Sequence, residues 1–146
     1  MNRFLENSIE CRFLYDSVTE PVCQKHGLSH TELDILLFFA NNPEFDTATD
    51  VIKKRKLNKS SVSIAVRTLC DKGYVVSEFL DGNHRSLHLT VQESANVIVA
   101  DGRAAQENFF NILAEGFSPE ELDDLKRKME RVTDNIKRYN RQNGIR

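Results

Sequence analysis

Apolar positions recur at three- and four-residue intervals near the start of the chain, and this spacing predicts a helix over about residues 2–25. The spacing is carried by Cys11, Leu14, Val18 and Val22. Pro21 should kink the end of this helix or begin a new one, because proline lacks a backbone N–H. A long amphipathic helix therefore opens the chain.

The second predicted helix is the most apolar one. Ser29 and Glu32 form a capping box at its start. Apolar side chains then cover nearly its whole circumference: Leu33, Ile35, Leu36, Leu37, Phe38, Phe39 and Ala40. Since a helix that is apolar all round belongs in a core, we expect this one to be the most buried.

Two shorter helices follow the break at residues 41–43. The first runs over about 47–54, with Val51 and Ile52 inward. After a turn near residue 56, Asn58 is a good N-cap for a second helix over 59–71, which Gly73 terminates. One side of the second helix is apolar, with Val62, Ala65, Val66 and Leu69. Its other side is free to contact a partner.

A β-hairpin is predicted next. Residues 74–80 are rich in β-branched and aromatic types, Asp81-Gly82 is a strong two-residue turn signal, and residues 86–89 alternate as a return strand. Thr90 and Glu93 then predict another capping box, which would open a helix with apolar residues through to Phe117. Gly102 is a weak point inside that helix.

The last predicted helix begins at Ser118-Pro119, a cap followed by proline at the first helical position. It carries a heptad seam: Leu122, Leu125, Met129, Val132, Ile136 and Tyr139. Such a seam suits a helix packed lengthwise against another, within the chain or in a second chain.

Composition narrows the function classes. The chain has 146 residues, 40% hydrophobic and 29% charged, and no apolar run approaches a membrane span. Three cysteines and four histidines match no disulfide framework and no metal-ligand spacing, and no catalytic or phosphate-loop motif is present. We therefore expect a single cytoplasmic domain that is not an enzyme, uses no cofactor or metal, and has no membrane role.

Charge is segregated along the chain. The formal net charge is −2, yet seven basic residues and one acid lie between positions 53 and 72. The basic residues are Lys53, Lys54, Arg55, Lys56, Lys59, Arg67 and Lys72. A local basic face on a near-neutral protein indicates a surface that meets phosphates, although a solvated helix face is the simpler alternative.

The segment from Thr47 to Ser63, the later Leu69-Cys-Asp-Lys-Gly-Tyr-Val75 and Leu89-Thr90 together resemble the MarR family of bacterial transcription regulators. The resemblance implies a mainly α fold with a small β-hairpin wing, in one domain over 1–146. Residues 29–90 would form the winged helix-turn-helix, and 1–28 and 91–146 the dimerisation helices. It also implies a homodimer on a pseudo-palindromic operator in double-stranded DNA.

Candidate DNA-binding residues follow from the resemblance and from the free helix face: Asn58, Lys59, Ser60, Ser61, Ser63, Ile64, Arg67, and His84 and Arg85 on the wing. The chain departs from the family pattern in two places. Arg55 and Lys56 replace an apolar residue and a glycine before the helix over 59–71, which corresponds to the recognition helix of the family. The wing is shorter than usual and lacks the acid that usually accompanies its arginine.

Most relatives are repressors relieved by a small, often aromatic ligand. A pocket here would involve Phe13, His26, His30, Phe38 and Phe109, although aromatic residues at helical spacing more often form core. Cys11 and Tyr15 also resemble the hydroperoxide-sensing branch of the family, with a structural cysteine as the favoured alternative. A third possibility is a winged-helix adaptor that binds protein.

Overall fold

The computed structural model describes residues 2–145 and is mainly helical, with one two-stranded antiparallel sheet. The elements in chain order are α1 Arg3–His26, α2 His30–Asn41, α3 Ala48–Arg55, α4 Lys59–Asp71, β1 Val75–Leu80, β2 Asn83–Val91, a short 3-10 turn Glu93–Ala95, α5 Asn96–Ala114 and α6 Pro119–Gln142. This order confirms the predicted fold class. The chain divides between Phe109 and Phe110 into two compact units.

The core of the first unit is centred on α2. Ser29 and Glu32 make the predicted capping box, in which Ser29 Oγ accepts the Glu32 N–H at 3.1 Å. Six apolar side chains of α2 are buried: Leu33, Ile35, Leu36, Leu37, Phe38 and Phe39. The predicted burial of this helix is confirmed, and α1, α4 and β2 pack around it.

Helix α1 continues through Pro21 to His26, so the alternative in which a new helix begins at Pro21 is wrong. Proline removes one backbone donor, but Pro21 is exposed and water can satisfy the carbonyl left unpaired. Three buried residues around it, Thr19, Val22 and Cys23, hold the turn against the core. Tertiary packing therefore outweighs the local cost of proline.

The predicted helix start at Thr90 is also wrong. Thr90 pairs with Val76 and Val91 pairs with Val75 in the hairpin, and the Gln92 N–H donates to the Tyr74 carbonyl at 2.9 Å. Strand β2 therefore extends past the expected cap, and α5 begins at Asn96. The backbone groups of Thr90 and Val91 are already paired with β1. Because β1 lies earlier in the chain, the local pattern at residues 90–93 could not reveal this pairing.

Gly102 makes a close approach of α5 to α2 possible. A Cβ atom at this position would lie 2.7 and 2.9 Å from the two Cδ atoms of Leu37, which is itself buried. The residue that weakens the predicted helix is therefore the one that lets the two helices pack.

The second unit begins at Phe110 and contains α6. Ser118 Oγ accepts the Glu121 N–H at 3.2 Å and Pro119 is the first helical residue, as predicted. None of the described residues of α6 is buried. The heptad seam lies open, with Leu125 44%, Met129 46%, Ile136 53% and Tyr139 60% exposed.

Candidate nucleic-acid interface

Helix α4 separates an apolar face from a polar one. Val62, Ala65 and Leu69 are buried against the core. The other face is exposed along its length and carries six of the predicted DNA-binding residues: Lys59, Ser60, Ser61, Ser63, Ile64 and Arg67. The structure therefore brings these residues together on one accessible surface, which we call the α4 face.

Asn58 has a different role from its neighbours. Its Oδ1 accepts the backbone N–H groups of Ser60 at 2.8 Å and Ser61 at 3.4 Å, so the side chain caps α4. This contact fixes where the helix starts. Asn58 is exposed, but its carboxamide oxygen is already used in holding the first turn.

The turn between α3 and α4 is tight even without the family's glycine. Lys56 adopts the left-handed conformation that a glycine would normally supply, with φ 55° and ψ 36°. At the other end of α3, Thr47 and Asp50 form a capping box that was not predicted, although its Thr-x-x-Asp spacing is visible in the sequence. The start of α3 is thus fixed by side-chain hydrogen bonds, and the helix ends at a left-handed residue.

Three of the seven basic residues are engaged within the chain. The Lys54 ammonium lies 4.4 Å from the centre of the Phe45 ring, and the Arg55 guanidinium lies 5.4 Å from the centre of the Phe38 ring. Lys72 Nζ donates to the Gly27 carbonyl at 2.6 Å and so closes the end of α1. Part of the predicted basic patch therefore takes part in packing within the chain.

Four basic residues remain available for a partner. Within residues 2–145, no hydrogen bond, ion pair or ring contact engages the side chains of Lys53, Lys56, Lys59 or Arg67. All four are exposed, and they lie on α3, on the turn and on α4. The positive charge is therefore concentrated at and beside the α4 face.

The hairpin that forms the wing turns at Asp81-Gly82, where φ is 47° and 73°. Positive φ at both central residues matches the predicted tight turn. His84 packs edge-on against Phe79, with ring centres 5.1 Å apart, and Arg85 is exposed. Both predicted wing residues therefore lie near the tip of the hairpin.

The base of the wing is tied to the segment before α3. His88 Nδ1 lies 2.9 Å from the Asp46 carboxylate, and the Leu89 N–H donates to the Asp46 carbonyl at 2.7 Å. Thr47 forms an isolated antiparallel bridge with His88. These contacts, which join residues far apart in sequence, orient the wing relative to α3.

The predicted ligand-pocket residues fall into separate clusters. His26 Nε2 lies 2.7 Å from Asp101, and His30 Nε2 lies 2.6 Å from Glu20. Phe38 is buried against Phe39 and Phe45 beneath Arg55, whereas Phe109 packs edge-on against Tyr15. Phe13 is 69% exposed on α1. A shared effector pocket remains a prediction.

Cys11 and Tyr15 lie one turn apart on α1. The Tyr15 hydroxyl accepts a hydrogen bond from Gln106 at 3.1 Å, and burial raises the pKa of this phenol. All three cysteines are free, and Cys11 is partly exposed. Burial raises the pKa of the Cys23 thiol to about 11, so Cys23 is protonated near neutral pH.

In the part of the chain that the structure describes, no group of three or more His, Cys, Asp or Glu side chains is placed to hold a metal ion. None of the described helices is long and apolar enough to cross a bilayer.

Comparison with known proteins identifies the family that this part of the chain resembles. Residues 26–86 match the family model for the MarR family, and this stretch contains α2, α3, α4 and most of the hairpin. This part of the chain is similar to the winged helix of the MarR family. Members of this family are transcription regulators rather than enzymes, which agrees with the sequence-based expectation. A search of curated protein sequences gave no match.

Solved MarR-family structures share the fold well beyond the matched stretch. A MarR family transcriptional regulator from Listeria monocytogenes, solved with a 26-mer DNA, is 15% identical with a TM-score of 0.82, over 93% of this chain and 89% of that one. The Staphylococcus aureus MepR–DNA complex is 14% identical with a TM-score of 0.74, over 93% and 96%. Staphylococcus aureus MarR, solved with salicylate and kanamycin, is 16% identical with a TM-score of 0.75, over 93% and 91%.

Proposed function

We propose that this chain is a dimeric, sequence-specific DNA-binding transcriptional regulator that acts as a repressor. The observation that carries the proposal is the α4 face, a row of exposed basic and hydroxyl side chains on a helix whose opposite side is fixed in the core. An α-helix fits the major groove, and small hydroxyl residues let it approach the base edges closely.

Each group of residues has its own part in binding. Arg67 donates to a guanine through its planar guanidinium, and Ser60, Ser61 and Ser63 bond to bases or phosphates. Lys53, Lys56 and Lys59 contact phosphates, which adds affinity without sequence information. His84 and Arg85 extend the contact from the wing, and Asn58 contributes by fixing the first turn of α4.

Dimerisation is proposed from α1 and α6 together with the resemblance. On α1, Phe4, Leu5 and Ile9 are more than half exposed, and α6 leaves its heptad seam open. Apolar rows on helices of this length suit pairing with a second copy. Two-fold pairing would present two α4 helices to a pseudo-palindromic operator, with half-sites about one helical turn apart.

Relief of repression by a small molecule is part of the same proposal. The Staphylococcus aureus MarR structure contains salicylate and kanamycin, so that protein, which has the same fold, accommodates small molecules. In this chain, Phe13, His26, His30, Phe38 and Phe109 are the proposed pocket residues. A ligand would act by favouring a dimer whose α4 helices no longer match the spacing of the half-sites.

The Arg67→Ala variant tests the proposal. Bound fragments are first selected from genomic DNA of the source organism, and operator affinity is then measured at fixed salt. We expect the variant to bind the operator more weakly by roughly 5- to 150-fold per half-site, equivalent to about 1–3 kcal/mol, because one base contact is lost. Arg67 is exposed, so the fold should be unchanged.

Lys128→Ala is the matched control, because it removes one positive charge from α6 outside the winged helix. It should retain nearly full affinity. Binding by the wild type should also weaken steeply as salt rises, since bound phosphates release counterions. Selection that returns no preferred sequence, or an Arg67→Ala variant with unchanged affinity, would contradict the assignment and favour a protein-binding winged helix.

A further inference from the structure

Ile64 is the exception on the α4 face, because it is the one apolar residue among the six side chains that define that face. It is 64% exposed, whereas its neighbours Val62 and Ala65 are buried. One helical turn before it lie Ser60 and Ser61, and one turn after it lies Arg67. An apolar side chain therefore stands at the centre of a polar, basic surface.

Nothing within the described chain accounts for isoleucine at this position. The side chain lies outside the hydrophobic core cluster, and only its backbone carbonyl has a further contact, with Thr68 Oγ1 at 3.1 Å. A β-branched residue is also less suited to an exposed helix position than lysine, glutamate or glutamine. A surface that covers Ile64 when the α4 face is occupied would make isoleucine favourable at this position.

The chemistry of that surface can be specified if α4 lies in the major groove. The base edges there present hydrogen-bond donors and acceptors, together with one apolar group, the C5 methyl of thymine. Serine and arginine satisfy the polar groups, but an isoleucine would leave them without partners. A thymine methyl is the group on the groove floor that Ile64 can cover favourably.

We propose that Ile64 is a specificity-determining residue that contacts the C5 methyl of a thymine in each half-site. This inference rests on the proposed function, because it requires α4 to enter the major groove. Three residues span about 4.5 Å of helix and neighbouring base pairs are about 3.4 Å apart. The thymine should therefore lie next to the base pair that Arg67 contacts.

Replacement of thymine by deoxyuridine isolates the contact, because it removes only the methyl group and preserves base pairing. The operator obtained by selection is synthesised with each thymine replaced in turn, symmetrically in both half-sites. The full-length wild type should lose about fourfold in affinity per half-site at one thymine position, as expected for one buried methyl group worth about 0.8 kcal/mol. Other thymines should give smaller changes.

The same series is measured with Ile64→Ala and with Ser63→Ala, an exposed neighbour on α4. Ile64→Ala should bind the operator with thymine at the sensitive position and the operator with deoxyuridine there equally. The ratio of the two affinities should therefore fall to about one. Ser63→Ala should keep the wild-type ratio, whatever its own affinity. Thermal unfolding followed by circular dichroism checks that the variants are folded.

Three results would overturn the inference, and they differ in what they say about function. Tight wild-type binding without any sensitive thymine, or a ratio that Ile64→Ala does not change, would reject the methyl contact and leave the DNA-binding proposal in place. Failure of the wild type to bind any selected DNA would reject both.

Discussion

Lys56 occupies the left-handed backbone conformation at the turn before α4, with φ 55° and ψ 36°. For a residue with a Cβ atom this conformation costs about 1 kcal/mol, and glycine adopts it freely. We predict that Lys56→Gly raises the free energy of unfolding by about 0.5–1 kcal/mol, measured by urea denaturation. The gain is smaller than the strain because glycine also gives the unfolded chain more freedom.

Lys53→Gly is a matched control, since it removes the same charge from the last turn of α3, where the backbone is helical. This variant should be less stable than the wild type by about 1 kcal/mol. If Lys56→Gly were no more stable than the wild type, the turn would not be strained. Both variants should bind DNA more weakly at low salt, because each loses one exposed lysine beside the α4 face.

The basic residues show what a sequence can reveal about a site residue by residue. Exposure of Lys59 and Arg67 could be predicted, because their spacing on α4 sets them opposite Val62 and Leu69. The packing of Arg55 over Phe38 and of Lys72 on the Gly27 carbonyl could not. Those partners lie 17 and 45 residues away, and only the folded chain brings them together.

At the scale of elements, local signals located the ends of helices well and contacts with distant strands poorly. The Asn58 cap predicted the start of α4 correctly, and Asp81-Gly82 predicted the turn of the hairpin. Both depend on neighbouring residues alone. Thr90 and Glu93 carry an equally good local signal, but pairing of Thr90 with Val76 incorporated that segment into β2.

Helices α1 and α5 are joined by ionic contacts at Asp101. Its carboxylate lies 2.8 Å from Lys25 Nζ and 2.7 Å from His26 Nε2, and hydrogen bonds from these two residues lower the pKa of Asp101. A lowered pKa in the folded state stabilises the protein above the ordinary pKa of aspartate, about 3.9. That contribution is lost as the pH falls through the lowered value.

We therefore predict that Asp101→Asn lowers the melting temperature at pH 6, and that its difference from the wild type shrinks as the pH falls from about 5 through the lowered pKa of Asp101. Melting curves followed by circular dichroism across this range measure the effect. Glu44→Gln is the control, because Glu44 is exposed and has no such contacts in the described chain. A difference in melting temperature between Asp101→Asn and the wild type that stayed constant with pH would contradict the ionic role of the carboxylate.

For the molecule as a whole, the distribution of charge matters more than its sum. The net charge of −2 would keep the chain off DNA if it were spread evenly. Instead four basic side chains that have no partner within residues 2–145 lie on or beside one exposed helix, whereas on α6 Arg127 and Lys128 pair with Asp123 and Asp124. A single chain nevertheless offers only a few phosphate and base contacts, so specific binding should depend on pairing of two chains.

That dependence gives the last prediction, which concerns the seam of α6. Met129→Glu combined with Ile136→Glu should convert the proposed dimer to monomer, because two carboxylates would be buried against an apolar partner. Both side chains are about half exposed in the chain itself, so each chain should keep its helical content. Sedimentation equilibrium measures the mass, and circular dichroism checks the fold. Operator affinity should fall by at least 100-fold, since each monomer contacts only one half-site.

Arg138→Gln provides the comparison, because it lowers the charge of α6 by one unit away from the seam and keeps an exposed polar side chain. It should remain dimeric and bind the operator. Dimer mass in the double variant would show that α6 does not form the interface. A monomer that still bound the full operator with wild-type affinity would instead separate dimerisation from DNA recognition, and the α4 face would then have to supply all of the specificity from one chain.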